Sequence, residues 1–352
     1  MKEGWEYRKF ESCLVKVPKQ VQVKSKEYKK TGRFPIVSQE SELISGYWDD
    51  ETIVYKHNKP IIIFGDHTKN IKYIDFDFAV GADGTHILST KDDIIAKYFF
   101  YALKSVKLRN LGYARHYKLL KEKYIPVPPL SEQQRIVDYL DSAFAKIDAM
   151  KANAEKQLNE ARALFQASLK EMLEPKEGWE EKSLGDFAYM KAGDFIKASE
   201  IHSEYQEGLF PCYGGNGLRG YVKVPNQEGD FCMIGRQGAL CGCINRAKGV
   251  FRTTERAVIV KPYNPIPTDL VYYLLVRLNL NKYATGAAQP GLSVNHIAEV
   301  VRISIPPLSE QQSIVATLDT LKSKVDRLQS NFEKISQECS ALKQALLRKV
   351  FD

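Results

Sequence analysis

The chain has 352 residues, of which 44% are hydrophobic and 27% are charged, and it carries a net charge of +8. This length and composition are typical of a folded protein with more than one core, and they exclude a mainly disordered chain. No apolar run approaches the roughly 18 residues that span a bilayer, and the sequence after Met1 lacks the apolar stretch of a signal peptide. We therefore expect a cytoplasmic protein without a membrane segment.

The first module is predicted to occupy residues 1–127 and to consist mainly of short strands. Runs rich in β-branched and aromatic residues, such as "ETIVYKHNKPIIIFGD" and "THILST", are separated by Gly, Asn, Asp and Pro. A short helix is expected in "IIAKYFFYAL", which begins at Ile94. The densest basic run of the chain, "KSKEYKKTGR", extends from Lys24 to Arg33 and favours a polyanionic ligand, although a solvated face is the simpler alternative.

A long helix is predicted to follow over residues 128–175. The prolines of "PPLSEQQ" end the preceding strand, and Ser131 with Gln134 three residues later has the spacing of a capping box. Apolar residues then recur at steps of four and three, which is typical of a coiled-coil seam. The members of this seam are Ile136, Leu140, Phe144, Ile147, Ala154, Leu158, Ala161, Phe165 and Leu169, with Lys151 interrupting it.

The second half of the chain repeats this order. "KEGWE" near the N terminus returns at Lys176, and "PPLSEQQ" returns at Pro306, so we predict a second module over 176–305 and a second helix over 306–352. "FPIVSQESELISGY" resembles "FPCYGGNGLRGY", and "IIIFGD" resembles "FCMIGR", whereas most other residues differ. A retained framework with different loops predicts two similar modules that recognise two different targets.

The second helix carries a seam of the same kind, and Ser309 with Gln312 repeats the predicted cap. Its members are Ile314, Leu318, Leu321, Val325, Leu328, Phe332, Ile335, Cys339, Leu342 and Leu346. Each helix would be about 65 Å long, which is too long for its seam to be buried on one small module. We predict an α+β fold with a pseudo-twofold repeat, in which the two helices pair as an antiparallel coiled coil that separates the modules. The alternative is that each helix packs only on its own module.

The excess positive charge lies on the two modules, which predicts a nucleic-acid ligand. Lys and Arg outnumber Asp and Glu by 23 to 16 in residues 1–127 and by 14 to 12 in residues 180–305. In the second module, glycine-rich turns place Arg and Gln side chains on loops, and these groups bind guanine and adenine through paired hydrogen bonds in the major groove. The predicted DNA-binding residues of the second module are Arg219, Arg236, Gln237, Arg252 and Arg256.

In the first module, the candidates come from the loops that match these positions. They are His67, Lys69, Arg115 and His116. The alternative for both modules is that the glycines only form tight turns and that the polar side chains bond within their own loops.

No motif for catalysis or for a cofactor is found in the sequence, so we expect neither catalytic residues nor a cofactor. The phosphate-binding loop, the HExxH and GxSxG motifs and the glycine-rich turns of dinucleotide and methyl-donor sites are all missing. Asp66 and His67 could suggest a nuclease or metal site, but Arg and Gln replace them in the second copy, which favours specificity over catalysis. Cys241 and Cys243 form a single CxC, for which buried or reduced thiols are favoured over a metal site.

Two divergent modules, each entered by "GW" and closed by a "PPLSEQQ" that leads into a long helix, resemble the specificity subunits of type I restriction-modification systems. "GAAQPGLS" from Gly286 adds to the resemblance, whereas the first module has "GYARHYKLL" from Gly112 in its place. The resemblance implies two target recognition domains that each read one half of a split double-stranded DNA sequence, with the helices fixing the gap. It also implies two methyltransferase subunits, which dock near the helices and carry the methyl donor, and restriction/translocase subunits.

Three other functions remain open at this point. The chain could be a freestanding two-headed DNA-binding protein, or a two-headed protein-interaction scaffold. It could also be the recognition part of a fused nuclease-methylase, although such an enzyme would require catalytic motifs.

Overall fold

The computed structural model describes residues 4–109, 112, 114–238, 241–286 and 290–351. The chain divides into two compact units. The first comprises Met1–Ala154 and Phe332–Asp352, and the second comprises Glu155–Asn331. This division passes through both long helices, so the module limits at 127, 175 and 305 stay predictions.

The first unit is a mixed α/β structure. Its elements are the strands β1 (Glu6–Lys9), β2 (Leu14–Val15), β3 (Gln22–Val23), β4 (Phe34–Val37), β5 (Gly46–Trp48), β6 (Val54–Tyr55), β7 (Ile61–Gly65), β8 (Ile71–Ile74), β9 (Phe78–Gly81), β10 (Thr85–Thr90) and β11 (Tyr124–Val127), and the helices α1 (Ala96–Ser105) and α2 (Tyr117–Lys121). Helix α3 (Leu130–Met172) begins in this unit and continues into the second. The two larger sheets of the first unit have the orders β2-β10-β7-β8 and β3-β9-β4-β5, with β6 also pairing with β9. The predicted helix at "IIAKYFFYAL" is confirmed as α1.

The second unit repeats this plan with longer strands. Its elements are β12 (Glu180–Ser183), β13 (Ala188–Ala192), β14 (Phe210–Gly214), β15 (Gly217–Val222), β16 (Gln227–Gly235), β17 (Ile244–Thr253), β18 (Ala257–Pro262) and β19 (Arg302–Ile305), and the helices α4 (Leu184–Phe187), α5 (Thr268–Leu278) and α6 (Val294–Val300). Helix α7 (Leu308–Phe351) begins in this unit and ends in the first. The large sheet of the second unit has the order β13-β18-β16-β17-β14-β15.

The framework shared by the two modules is visible in their strand register. β7 pairs antiparallel with β10 so that Gly65 faces Thr85, and β16 pairs antiparallel with β18 so that Gly235 faces Ala257. The hairpin of β4 and β5 joins β9 by parallel pairing, just as the hairpin of β14 and β15 joins β17. The predicted repeat is therefore confirmed at the level of topology.

The repeated sequence motifs mark the two ends of each module, and these ends pair with each other. β1, which follows the first "GW", is antiparallel to β11, which precedes the first "PPLSEQQ". β12 and β19 form the same pair in the second unit. Gly4 and Gly178 have φ angles of 78° and 85°, a conformation that glycine adopts at little cost, so the turn that leads into the pairing favours glycine.

The predicted cap of the long helices is wrong in its details. α3 begins at Leu130, so Ser131 lies inside the helix and Pro129 precedes it, with the Pro129 carbonyl accepting the amides of Glu132 and Gln133 at 2.9 and 3.0 Å. Gln133 is fully buried, and its side-chain amide donates to the Pro128 carbonyl at 2.8 Å. The glutamine side chain thus fixes the entry to the helix from inside the core.

The second copy of the motif is used in the same way. α7 begins at Leu308, so Ser309 is not the cap there either. Gln311 is buried and donates to the Pro306 carbonyl at 3.0 Å. The repeated letters therefore specify a buried glutamine that ties each long helix to the strand before it.

Within the first unit, the two long helices pack against each other in antiparallel directions. The Cys339 thiol lies 3.7 Å from the Ile147 carbonyl, and Lys343 forms an ion pair with Asp148 at 2.5 Å. The core of this unit includes buried residues from both helices, namely Ile136, Val137 and Leu140 from α3 with Leu347 and Phe351 from α7.

Within the second unit the same two helices are paired again. Arg162 donates to the Gln329 side chain at 2.5 Å, and Leu169 shares a core with Ile314 and Leu318. The predicted antiparallel pairing is confirmed, and the alternative of helices that pack only on their own modules is wrong.

One predicted seam residue does not belong to the seam. Leu342 is 49% exposed, and the next half-buried position after Cys339 is Lys343, whose ammonium lies 5.3 Å from the Phe144 ring. The step of four residues from Cys339 places Lys343 inward, and its aliphatic stem covers the apolar surface there.

In the described part of the chain, no helix is long and apolar enough to cross a lipid bilayer.

Candidate nucleic-acid interface

Three chain segments meet at Arg236, directly after β16 in the second unit. The Arg236 amide donates to the Arg256 carbonyl at 3.0 Å, and the Arg236 carbonyl accepts from the Leu292 amide at 2.9 Å. Gln237, the next residue, is exposed and forms a bridge with Gly291. Residues that are distant in sequence are thereby held on one surface by main-chain bonds, which do not depend on the side chains there.

A fourth segment reaches this surface because it contains glycine. A Cβ atom on Gly235 would lie 2.0 Å from the Gly215 carbonyl oxygen, and one on Gly215 would lie 3.0 Å from the Arg256 carbonyl oxygen. The turn between β14 and β15 can approach β16 this closely only without side chains. Arg219, on β15, is exposed at the edge of this turn.

Arg256 and Arg219 present their cationic groups to solvent. The Arg256 side chain is 55% exposed, and its Nε lies 3.4 Å from the Glu255 carboxylate. The terminal nitrogens of Arg256 make no hydrogen bond with the described residues, and neither does the Arg219 guanidinium. These two side chains and the Gln237 amide are the predicted contacts that the structure leaves available to a ligand.

Arg252 is engaged within the protein, which differs from the predicted direct contact with DNA. Its terminal nitrogens donate to the main-chain carbonyls of Val224 and Phe195, both at 3.3 Å, and its Nε is buried. The Nε of Arg236 is buried as well and has no partner among the described residues. Arg252 therefore positions two loops, while Arg236 is only half-exposed.

The first unit has the same three-way junction with different side chains. The Asp66 amide donates to the Gly84 carbonyl at 2.8 Å, and the Asp66 carbonyl accepts from the His116 amide at 2.9 Å. Asp66 thus occupies the place of Arg236, Gly84 that of Arg256 and His116 that of Leu292. The predicted correspondence of the loops is seen in the hydrogen bonds.

His116 is not available for the contact that the sequence suggested. Its side chain is 0% exposed, and its Nδ1 lies 3.0 Å from the Asp66 carbonyl oxygen. The Asp66 carboxylate in turn accepts from the Tyr117 amide at 2.8 Å at the start of α2. His116 and Asp66 therefore hold the loop together instead of reaching outward.

The other candidates of the first unit lie on or near the surface. Arg115 is exposed, whereas His67 and Lys69 are half-buried. Lys69 has a φ of 60°, and its amide donates to the Gly65 carbonyl at 2.9 Å, which closes the turn after β7. The structure thus places Arg115 and His67 beside the Asp66 junction, with Lys69 at the end of the turn.

Sequence reasoning missed two side chains that shape this surface. Gln39 is buried, accepts the His67 amide at 3.1 Å through Oε1, and occupies the place of Gly215 in the repeat. His86 stacks on the Tyr117 ring with centroids 4.0 Å apart. The match of "FPIVSQ" with "FPCYGG" already places Gln39 opposite Gly215, but nothing in the sequence indicates its bond to His67 or the stacking of His86.

The CxC of the second unit is explained by packing. The Cys243 thiol donates to the Gly215 carbonyl at 2.8 Å, and burial raises the pKa of this thiol, which favours its protonated form. Cys241 is buried in the hydrophobic core of the second unit. Within the described ranges, no three His, Cys, Asp or Glu residues are grouped so that they could hold a metal ion.

The fold and the paired loops define a protein with two similar modules on one repeated framework. A family model for the type I restriction modification DNA specificity domain matches residues 2–160 and again residues 176–336. The chain therefore belongs to this family. "GAAQPGLS" and "GYARHYKLL" lie in corresponding places, but residues 287–289 and 113 within them are outside the described residues.

Curated relatives match part of their length. The EcoprrI specificity subunit of Escherichia coli is 41% identical over 157 residues, which cover 44% of this chain and 38% of the relative. The EcoR124I/EcoR124II specificity subunit of the same organism is 28% identical over 208 residues, which cover 55% of this chain and 50% of the relative. The chain thus spans half or less of the length of these curated relatives.

Solved structures show the same fold over nearly the whole chain. A chain from a structure on the complex assembly and conformational transition of the type I R-M system aligns with a TM-score of 0.71 and 19% identity, covering 99% of this chain and 98% of that one. The HsdS subunit from Thermoanaerobacter tengcongensis aligns with a TM-score of 0.50 and 19% identity, covering 100% and 97%.

Proposed function

We propose that this chain selects the DNA sequence on which a type I restriction-modification complex acts, and that each unit reads one half of a bipartite double-stranded target. The observation that carries the proposal is the double match to the specificity-domain family, on a repeated framework whose equivalent loops differ in chemistry. Asp66 and His67 stand in the first unit where Arg236 and Gln237 stand in the second. A change of side chains on a constant framework is what two recognition sites of different specificity require.

The exposed side chains of the second unit supply the recognition chemistry. A guanidinium fork binds the O6 and N7 atoms of guanine, and a side-chain amide binds the N6 and N7 atoms of adenine. Arg219, Arg256 and Gln237 are exposed and can make such bonds, whereas Arg252 acts by holding loops in place. In the first unit, Arg115, His67 and Lys69 are the proposed contacts, and His116 is a positioning residue.

The complex supplies the chemistry that this chain lacks. We propose two methyltransferase subunits that dock near α3 and α7 and carry the methyl donor, together with restriction/translocase subunits. The chain itself acts without catalytic residues or a cofactor, in the cytoplasm. The paired helices set the gap, because the binding free energies of two half-sites add only when both can be occupied together.

An exchange of modules tests this function. Residues 180–305 are replaced by the equivalent segment of another family member, and the methylated sequences are mapped in cells. We expect one half of the target to change while the other half and the gap stay the same. A matched control exchanges Tyr263, which is 62% exposed on the second unit, for Ala and should leave the target unchanged.

Two results of this exchange would contradict the proposal. Either both halves of the target change together, or neither changes although the exchanged chain is folded and present. A protein-interaction scaffold predicts a different observation, namely no binding to duplex DNA even at low salt with partner subunits present.

A further inference from the structure

We propose that residues 24–30 of the first unit bind the phosphates of the duplex beside its half-site, and that the second unit lacks this contact. The inference rests on the DNA-recognition function proposed above and adds a division of work between the units. We call residues 24–30 the lysine turn. It lies within the basic run noted in the sequence.

The lysine turn is a fixed structure that presents cations. Residues Ser25–Glu27 form one turn of 3-10 helix, closed by the Glu27 amide donating to the Lys24 carbonyl at 2.8 Å. The Glu27 carboxylate accepts the Lys24 amide at 3.2 Å, so this acid is engaged within the turn.

Three lysines of this turn carry their charge without a counter-ion. Lys24, Lys26 and Lys30 are exposed and form no ion pair with the described residues, whereas Lys29 pairs with Asp49 at 2.6 Å. Three unpaired ammonium groups within seven residues are suited to a row of phosphates, each of which carries one negative charge.

The lysine turn lies next to the Asp66 junction of the first unit. The Ser25 hydroxyl and the Tyr28 hydroxyl both donate to the Ala82 carbonyl, at 3.3 and 3.1 Å. Two residues further along, the Gly84 carbonyl accepts the Asp66 amide at 2.8 Å. The lysine turn and the loop that carries His67 therefore contact the same short segment, so a duplex bound at one is within reach of the other.

The second unit contains the same turn without most of its charge. Residues Ala198–Glu200 form a 3-10 turn, closed by the Glu200 amide donating to the Lys197 carbonyl at 3.0 Å. His202 bridges to Tyr221 there, just as Lys29 bridges to Tyr47 in the first unit. This register was not evident from the sequence, because only Lys197 and Glu200 keep their residue types.

The register identifies which residues take the places of the lysines. Ser199 corresponds to Lys26, and Ser203 corresponds to Lys30. Both serines are exposed and neutral. The second unit is therefore expected to rely on its arginines, while the first unit adds a salt-sensitive contact to the phosphates.

Reciprocal substitutions test the inference, because each variant places the residues of one unit at the equivalent positions of the other unit. The variants are K26S/K30S in the first unit and S199K/S203K in the second, made in the full-length chain. Binding to a duplex that carries the complete target is measured by fluorescence anisotropy over a range of salt concentrations. K146Q/K170Q, which changes two exposed lysines on α3, is the matched control.

We expect K26S/K30S to reduce the slope of log affinity against log salt by about 1.8, since each phosphate contact contributes about 0.9. The preference for individual bases should stay the same, because phosphate contacts carry no sequence information directly. S199K/S203K should steepen the slope, and K146Q/K170Q should leave it unchanged.

An unchanged slope in K26S/K30S, or an equal fall in K146Q/K170Q, would overturn the lysine turn as a phosphate contact. So would a change in base preference, since that would make the turn a base-reading element. If the wild-type chain binds no duplex at low salt even with the methyltransferase subunits present, the proposed function fails together with this inference. If the wild type binds its target specifically and only the slope prediction fails, the proposed function stands.

Discussion

The polar side chains around the junction at Arg236 in the second unit fall into two groups according to what their nitrogen atoms contact. Arg219, Arg256 and Gln237 are exposed, whereas the Arg252 guanidinium donates hydrogen bonds to two main-chain carbonyls. Substitutions in the two groups should therefore have different effects. Loss of a base-reading side chain alters specificity, and loss of a positioning side chain alters stability.

Arg256 provides the clearest case of the first kind. Replacing Arg256 with Ala should weaken binding to the target by about 1–3 kcal/mol and relax the preference at one base pair, because the proposed bidentate pair with guanine would be lost. Lys at this position keeps the charge but not the fork, so it should restore affinity for all sequences more than it restores the preference. Selection from a randomised half-site, followed by sequencing of the bound duplexes, measures both effects.

Arg252 serves as the contrasting position for that experiment. Replacing Arg252 with Ala should lower the free energy of unfolding by about 1–3 kcal/mol, since two carbonyls lose their donor, and should affect all DNA sequences alike. If Arg252→Ala altered one base position and Arg256→Ala altered none, the assignment of the two roles would be reversed.

Two buried thiols make stability depend on pH in the alkaline range. Burial raises the pKa of Cys13 to about 11 and that of Cys232 to about 12, from an ordinary value of 9.0. The unfolded chain therefore releases these protons first as the pH rises. The stabilising contribution is complete below pH 9 and is lost as the pH rises towards the folded pKa values.

Urea unfolding at pH 8 and at about pH 10.5 measures this effect. The wild type should lose more stability between these two pH values than a variant with Ala at both Cys13 and Cys232. Because the buried tyrosines are present in both proteins, the difference isolates the thiols. An equal loss in both proteins would show that these thiols ionise in the folded state as readily as in the unfolded chain.

For individual residues, the sequence predicted which positions are equivalent in the two units better than it predicted what each side chain does. Alignment of the two halves was sufficient to identify Asp66–His67 and Arg236–Gln237 as equivalent. The burial of His116 and the internal bonds of Arg252 could not be predicted, because they depend on the paths of loops that do not resemble each other between the halves. A loop residue becomes a positioning residue only through partners that are distant in sequence.

In each unit, a tyrosine of the module donates a hydrogen bond to an aspartate of the long helix that follows it. The Tyr273 hydroxyl of α5 donates to the Asp319 carboxylate of α7 at 2.5 Å, and Tyr101 of α1 donates to Asp141 of α3 in the same way. Both aspartates end a longer repeat, which reads "PPLSEQQRIVDYLD" at 128–141 and "PPLSEQQSIVATLD" at 306–319. The repeated sequence thus supplies an anchor for the module as well as the start of a helix.

Removal of either tyrosine hydroxyl should loosen this anchor. Tyr273→Phe and Tyr101→Phe are each expected to lower the free energy of unfolding by about 1–3 kcal/mol, because a carboxylate loses a hydrogen bond in a partly buried site. Tyr139, which is 48% exposed on α3, provides the control, and its replacement by Phe should change stability by less than about 0.5 kcal/mol. Urea denaturation followed by circular dichroism measures all three variants. Equal small effects would show that the Tyr–Asp bonds contribute nothing.

The long helices were the most predictable elements. Their first residues and the side chains that face inward near the end of α7 were harder to predict. The heptad spacing predicted the buried positions Ile136, Leu140, Ile147, Leu158 and Leu169 of α3, because a helical seam is a local pattern, but it missed Gln133 and Val137. Leu342 was misplaced because the inward position after Cys339 falls on Lys343, a charged residue whose stem is apolar. The start of each helix one residue before the predicted serine follows from the two prolines and the buried glutamine, which act through tertiary contacts.

In the whole molecule, two unlike surfaces on a repeated framework are proposed to act on one DNA target. The double family match covers residues 2–160 and 176–336, and in each unit the same pair of helices packs beside the module. Neither half alone contains both recognition surfaces. We therefore expect a target with two separate halves and a constant gap.

Mapping of methylated bases in cells tests this claim most directly. Genomes from cells that contain this chain and from cells that lack it are compared while the methyltransferase subunits are present in both. We expect methylation at one bipartite sequence with a fixed gap, found only when the chain is present. Identical methylation in both genomes, or methylation at a single continuous sequence, would contradict it.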